Sequence, residues 1–251
     1  MKDILKQIIA KKYFHICMIL IIVVSLLFVL GIVILRYNVE GETNMPFNVS
    51  KISIISSTEG IDKDSGENKW AFDINQNNDI FIYVEKNSQY QKNEVIKTID
   101  ITNIKITKDI DKGNKVIYKP EQSSENSMFV NKEENKVDSI EYVGAMESNI
   151  QKMQISNQGG IIAFRYANDK IGEYVSNDDE VNHSNLLKSA NITQEDLQAQ
   201  INFDIIIKVE SGKEYQANIS LDVPVKNIVE EGTSSIEKTD LNNIIFKRIK
   251  N

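Results

Sequence analysis

The sequence predicts a mainly β protein: an N-terminal transmembrane helix followed by an extracytoplasmic antiparallel β-sandwich-like domain with one or two short helices. Three observations carry that class. An uninterrupted apolar block fills residues 13–35. Alternation of apolar and polar residues with period two recurs through the rest of the chain, most clearly at 201–223. Helical periodicity is confined to a few short stretches.

The apolar block reads YFHICMILIIVVSLLFVLGIVIL and contains no charge. Crossing a hydrocarbon layer of ~30 Å takes about 20 helical residues, so the length fits a single pass. A buried core helix would keep a polar face, and this segment has none. A cleaved signal peptide has a shorter core and a small-x-small cleavage site. The residues that follow here, Arg36-Tyr37-Asn38-Val39-Glu40, offer no such site, which points to an uncleaved signal anchor. Cys17 lacks the small preceding residue of a lipoprotein cysteine. Lys2, Lys6, Lys11 and Lys12 precede the block, whereas Arg36, Glu40 and Glu42 follow it. The positive-inside rule then puts the N-terminus in the cytoplasm and the C-terminal domain outside the cell membrane. The expected organisation is a cytoplasmic tail at 1–12, a transmembrane helix at 13–35, a juxtamembrane segment at 36–48 and an extracytoplasmic β-rich domain at 49–251.

Charge divides the chain in the same place. Of 29 basic and 36 acidic residues, five and one precede residue 37, which leaves 24 against 35 and a net of −11 beyond it. An acidic domain argues against nucleic acid, since phosphate contacts need clustered Lys and Arg. It argues equally against docking on anionic lipid. The single cysteine allows no disulfide within the chain and no cysteine-based zinc site.

The strands follow in order. Residues 49–56 form a β-branched run. Residues 69–74 and 79–86 flank Asn75-Gln76-Asn77-Asn78, which reads as the turn of a hairpin. In the second of these runs Ile80, Ile82 and Val84 face one way and Phe81 and Tyr83 the other, as in a central strand. Between 95 and 107 the apolar phase changes from Ile99 and Ile101 to Ile104 and Ile106, which predicts a β-bulge near Thr102-Asn103. Residues 116–118, 139–143, 161–166 and 243–248 are further short strands. The stretch 121–138 is polar and reads as a long loop, or as a boundary between two β subdomains. A short helix is expected at 193–201, with Thr193 as its N-cap, and a turn at 184–189. Alternating runs at 201–210 and 213–223 around Ser211-Gly212 form a hairpin, ended by Pro224.

Few constellations suggest chemistry. His183 is the one histidine beyond the membrane block, and it sits in a polar stretch without a G-x-S-x-G elbow. A solvated loop histidine is the favoured reading over a catalytic base. Carboxylates are too numerous for spacing to single out a glycosidase-like pair. Asp73, Asn75, Asn77 and Asp79 place oxygen ligands at alternate positions, as a calcium loop does. Asn78 stands where the loop's glycine belongs and Val84 where its glutamate belongs, so two Asn-rich turns are the plainer reading. Asn48, Asn182, Asn191 and Asn218 begin glycosylation sequons. Trp70, Phe72, Phe81 and Tyr83 form either a glycan platform or the core of a hairpin.

The stretches YNVEGETNMPFNVSKISII at 37–55 and DINQNNDIFIYVEKN at 73–87 resemble uncharacterised single-pass membrane proteins of Clostridium-like Gram-positive bacteria. The resemblance implies a bacterial setting and a cytoplasmic N-terminus, and no activity. The leading expectation is a membrane-anchored envelope protein whose β domain binds a protein or cell-wall partner, with no nucleic acid and no catalytic residue assigned. The alternatives are a carboxylate-dependent envelope hydrolase and a calcium-stabilised structural module.

Overall fold

The computed structural model describes residues 2–42, 45–64, 66–108, 112–121, 127–147 and 152–249, with helix side chains described from 13 to 33. Helix α1 runs over Lys2–Glu42, so it continues past the apolar block into the segment assigned to the juxtamembrane region. Its stretch Tyr13–Val33 is long and apolar enough to cross a membrane, the one such helix among the described residues. Phe28, Leu26 and Ile19 are 69%, 64% and 62% exposed, a surface that water disfavours and acyl chains cover. The Ser25 hydroxyl donates to the Ile21 carbonyl at 2.8 Å, which satisfies the polar group within the helix.

The rest of the chain is two stacked β-sheets, not closed into a barrel, and strand accounts for 49% of the residues. The strands are β1 (Phe47–Asp62), β2 (Trp70–Lys86), β3 (Ile96–Thr107), β4 (Asn114–Tyr118), β5 (Ile140–Gly144), β6 (Met153–Ile155), β7 (Gly159–Ser176), β8 (Gln200–Val209), β9 (Glu214–Asp222), β10 (Thr233–Lys238) and β11 (Lys247–Ile249). One sheet has the order β10-β1-β2-β7-β4 and the other β11-β9-β8-β3-β5-β6. All pairings are antiparallel except β5 with β6. The 119–139 stretch lies between β4 of one sheet and β5 of the other, and its residues 122–126 lie outside those described.

The hairpin expected at 201–223 forms as β8 and β9, with Ile205 opposite Ala217 and Gly212 at a φ of 81° in the turn. Ile201, Phe203, Ile205 and Ile207 face inward beside Tyr215, Ala217, Ile219 and Leu221, all buried. Phe203 meets Phe164 of β7 edge to face at 5.2 Å, joining the two sheets. The Tyr142 hydroxyl completes that junction. It donates to the Ala163 carbonyl and accepts from the Ala163 N–H, at 2.7 and 2.8 Å, and burial pushes its pKa up to about 12. The bulge forms where the phase change placed it: β3 slips against β8 between Thr102 and Lys105, with Asn103 at a φ of 54°.

Two sequence readings are corrected. Asn75-Gln76-Asn77-Asn78 is not a turn but the middle of β2, a single 17-residue strand between β1 and β7. Buried amides at those positions are satisfied by neighbours instead of water. Ser56 Oγ donates to Asn78 Oδ1 at 2.6 Å, Asn78 Nδ2 to the Tyr166 carbonyl at 3.1 Å, and the Lys170 N–H to Asn75 Oδ1 at 2.9 Å. The helix expected at 193–201 is only a 3-10 turn at Glu195–Leu197, because β8 claims the chain from Gln200. Thr193 still acts as a cap: its N–H donates to Asp196 Oδ2 and its hydroxyl accepts from the Asp196 N–H.

This row of amides also divides the interior. On one side lies the sandwich core, with Ile52, Ile54, Ile80 and Ile82 against the residues of β3, β8 and β9. On the other, Phe72, Ile74 and Ile171 extend past the second sheet and are covered by Leu186, Leu187, Ile192, Leu197 and Ile228. Leu186 and Leu187 belong to helix α2 (Leu186–Ser189) and Ile228 to helix α3 (Ile228–Glu231).

Candidate binding groove

The four residues considered for calcium stand along β2, where successive same-face positions are ~7 Å apart. Asp73 and Asp79 are therefore separated by about 20 Å, and the structure does not bring the four together. Each also has a donor. Asp73 faces Lys63 at 3.3 Å and Lys170 at 3.1 Å, and these ammonium groups, Lys170 foremost, hold its carboxyl below the usual range. Asn75 accepts from Lys170, and Asn77 Oδ1 accepts from Asn131 Nδ2 at 2.9 Å. Asp79 takes both Nε and Nη2 of Arg165, at 2.6 and 3.0 Å. Among the described residues no three His, Cys, Asp or Glu side chains gather as metal ligands would.

The aromatic platform divides in two. Trp70 and Phe72 stack at 6.2 Å on the inward face of β2, with Tyr174 and His183 against Phe72. Phe81 and Tyr83 lie on the opposite face, Phe81 packing on Phe129 of the 119–139 crossing. His183 opens a 3-10 turn and rests on the Phe72 ring at 5.8 Å. Of the sequon residues, Asn48 is exposed, whereas Asn218 donates to Asp204 Oδ1 at 2.9 Å.

A concavity of 630 Å³ opens at the end of the sandwich where the chain arrives from α1. Three segments build it: the start of β1 with Met45, the end of β2 at 85–88, and the 239–246 crossing from β10 to β11. The cause is a divergence. β10 pairs with β1 from Ser57 back to Ile52 and leaves at Lys238, so among the described residues no strand pairs with the first residues of β1 on that flank. Leu241, Ile244 and Phe246 turn into the sandwich core, which fixes the crossing as the far wall. Ile245 remains 50% exposed.

The main chain of β1 is oriented by its pairing with β2. The Pro46 carbonyl accepts from the Asn87 N–H at 2.9 Å, and Asn48 lies opposite Glu85. In an antiparallel ladder alternate residues bond to the same neighbour, so Phe47 and Val49 direct their N–H and C=O away from β2; Val49 lines the groove, whereas Phe47 is fully buried. The walls are uncharged for the most part: Asn48, Ser50, Thr239 and Asn242 are polar, and Val49, Ile244 and Ile245 aliphatic. Glu85 is the only carboxylate and Lys86 the only ammonium on them, and Lys86 is held by Asn93 and Gln158 at 2.8 and 3.2 Å. A smaller cleft of 350 Å³ carries two carboxylates, Glu121 and Glu141. Lys132 and Lys152 respectively pair with them.

Sequence reasoning gave none of these groove residues a binding role, although it named Asn48 as a sequon and placed strands over 49–56 and 79–86. The strand expected at 243–248 is reduced in the structure to β11 at Lys247–Ile249, and Ile244, Ile245 and Phe246 form groove wall instead. With this geometry in hand, comparison with known proteins finds no match: no family model, no curated protein and no solved structure matches the chain. The chain is a membrane-anchored protein with a mostly β domain, and its candidate site is a groove of mostly uncharged walls at the start of β1.

Proposed function

We propose that this is a single-pass envelope protein whose β domain is a binding module, and that the groove beside β1 is where its partner sits. The supporting observation is a 630 Å³ cavity of mixed aliphatic and neutral polar walls at the start of β1, before its pairing with β10 begins at Ile52. That volume lies within the range of ligand sites, and its walls expose more polar than aliphatic surface. A two-carboxylate hydrolase needs paired acids across its cleft, and this groove presents Glu85 alone. The flanking lysines of the apolar block support a cytoplasmic N-terminus with the domain outside. The resemblance at 37–55 and 73–87 supports a Gram-positive setting.

The test is position-specific photocrosslinking in the full-length protein in its own membrane. A crosslinker replacing Ile245 reports on the groove, and one replacing Asn202, on the outer face of the other sheet, serves as the comparison. A discrete adduct from position 245 and none from 202 is the expected result. Position 202 reacting alone, or neither reacting, overturns the assignment of the groove.

A further inference from the structure

We infer that the free edge of β10 pairs with β10 of a second copy of this chain, antiparallel and across a two-fold axis at Ser235. The groove plays no part in it. The Thr58 N–H donates to the Gly232 carbonyl at 2.8 Å, and the register carries the same bonding to Ser234, Ile236 and Lys238. Thr233, Ser235 and Glu237 therefore turn their N–H and C=O groups away from β1. Among the described residues no other strand pairs with that edge, and no loop backbone bonds to it. The side chains of all three are exposed. Such edges are commonly blunted by proline, a bulge or charge. β10 has no proline and no break in register, and its charges are confined to Glu237 and Lys238, the first already paired with Lys51 at 3.0 Å. The strand's own sequence specifies the occupant. Two-fold pairing sets one surface against itself, so each residue must suit the one the axis places opposite. An axis at Ser235 matches the outward groups of all three residues, whereas one at Ser234 or Ile236 matches those of only two within the strand. It also sets Glu237 opposite Thr233, Lys238 opposite Gly232 and Ile236 opposite Ser234, with no like charges facing each other. An axis at Ser234 would oppose Glu231 to Glu237. Ile236, 39% exposed, stands diagonally from its counterpart across the Ser235 axis, which covers part of both. Phe47 lies eight residues before Ile55, the neighbour of Ser235 on β1. The two anchors therefore reach the joined sheet from opposite ends, roughly 50 Å apart along the strands.

The test uses the full-length protein with Cys17→Ala, which removes its single native thiol, at one copy per lipid nanodisc. Thr233→Cys and Glu237→Cys chains, mixed and mildly oxidised, should form a disulfide-linked pair, since bonded partners stand about 5.5 Å apart at Cα. Either variant oxidised alone should not, because like positions lie four residues out of register, about 14 Å. Ser235→Cys, on the axis, should link to itself. Adding Ser235→Pro to the mixed pair deletes an N–H that β1 does not use and should abolish linkage while the melting temperature holds. Ser235→Lys leaves the backbone intact and brings two ammonium groups face to face. It should slow linkage about fivefold, with the loss recovered in high salt. No linked pair from the mixture, linkage as fast within one variant as between the two, or undiminished linkage in both the proline and the lysine variants overturns the inference. Each of these failures leaves the groove reading standing, because that reading depends on the adduct from position 245.

Discussion

At the scale of single residues, two carboxyls are driven in opposite directions by their surroundings. Asp169 is half-buried: its Oδ2 accepts from the Tyr118 hydroxyl at 3.1 Å, and its Oδ1 is buried with no partner among the described residues. Desolvation raises its pKa, and the Tyr118 bond only partly offsets that. A pKa raised in the folded state means that the native form holds the proton more tightly. The stability this gives is present below the ordinary carboxylate range and is lost as pH rises through the raised value. Asp169→Asn keeps an acceptor for Tyr118 and has no charge to desolvate. Its stability relative to the wild type should therefore increase from about pH 4 to neutrality. Urea melts of both proteins at the two pH values decide this, and a constant gap would refute it. Asp196 is the opposite case. Lys112 at 2.7 Å, aided by Thr193, lowers its pKa to about 2, so its contribution is present above the unfolded value and is lost as pH falls through about 2. Neither environment is legible in the sequence, because Tyr118 and Lys112 are distant along the chain from the acids they face.

At the scale of elements, legibility follows how a strand is buried. β8 and β9 were readable because one face of each is in the core and the other in solvent, so burial writes a period of two into the residues. The bulge in β3 was readable for the same reason, since an extra residue shifts the phase. Asn103 occupies its left-handed position and donates from Nδ2 to Asp204 Oδ2 at 2.7 Å. Asn103→Val places a β-branched residue at positive φ and removes that bond. It should cost about 2 kcal/mol, measured by chemical denaturation, whereas Asn103→Gly should cost less. β2 was misread because propensity assigns Asn75–Asn78 to turns, whereas in the structure Ser56, Tyr166, Lys170 and Asn131 satisfy those amides from other strands and loops. β10 went unseen because its sequence, TSSIEK, lies along an edge and is mostly exposed, so burial leaves no pattern.

At the scale of the whole molecule, the three longest strands carry two interiors in series. β1 alone is 16 residues, about 50 Å at ~3.3 Å per residue. The sandwich core lies toward the anchor, and the smaller core around Phe72, Leu187 and Ile228 lies toward the far end. Leu187 is fully buried in the latter. Leu187→Ala should cost about 2–5 kcal/mol. Hydrogen exchange should then accelerate at 177–199 and at the far ends of β1, β2 and β7, and remain slow in β8 and β9. Uniform acceleration would show that the two interiors unfold as one.

The position of the groove on β1 has a mechanical consequence. The membrane helix and the β1 wall of the groove belong to the same run of backbone, with Glu42 and Val49 seven residues apart. Tension between the bilayer and a partner held in the groove would pass through that short run and into the partner. The two stacked sheets and the far interior would hang beside the line of force as a passenger, held in register but not pulled.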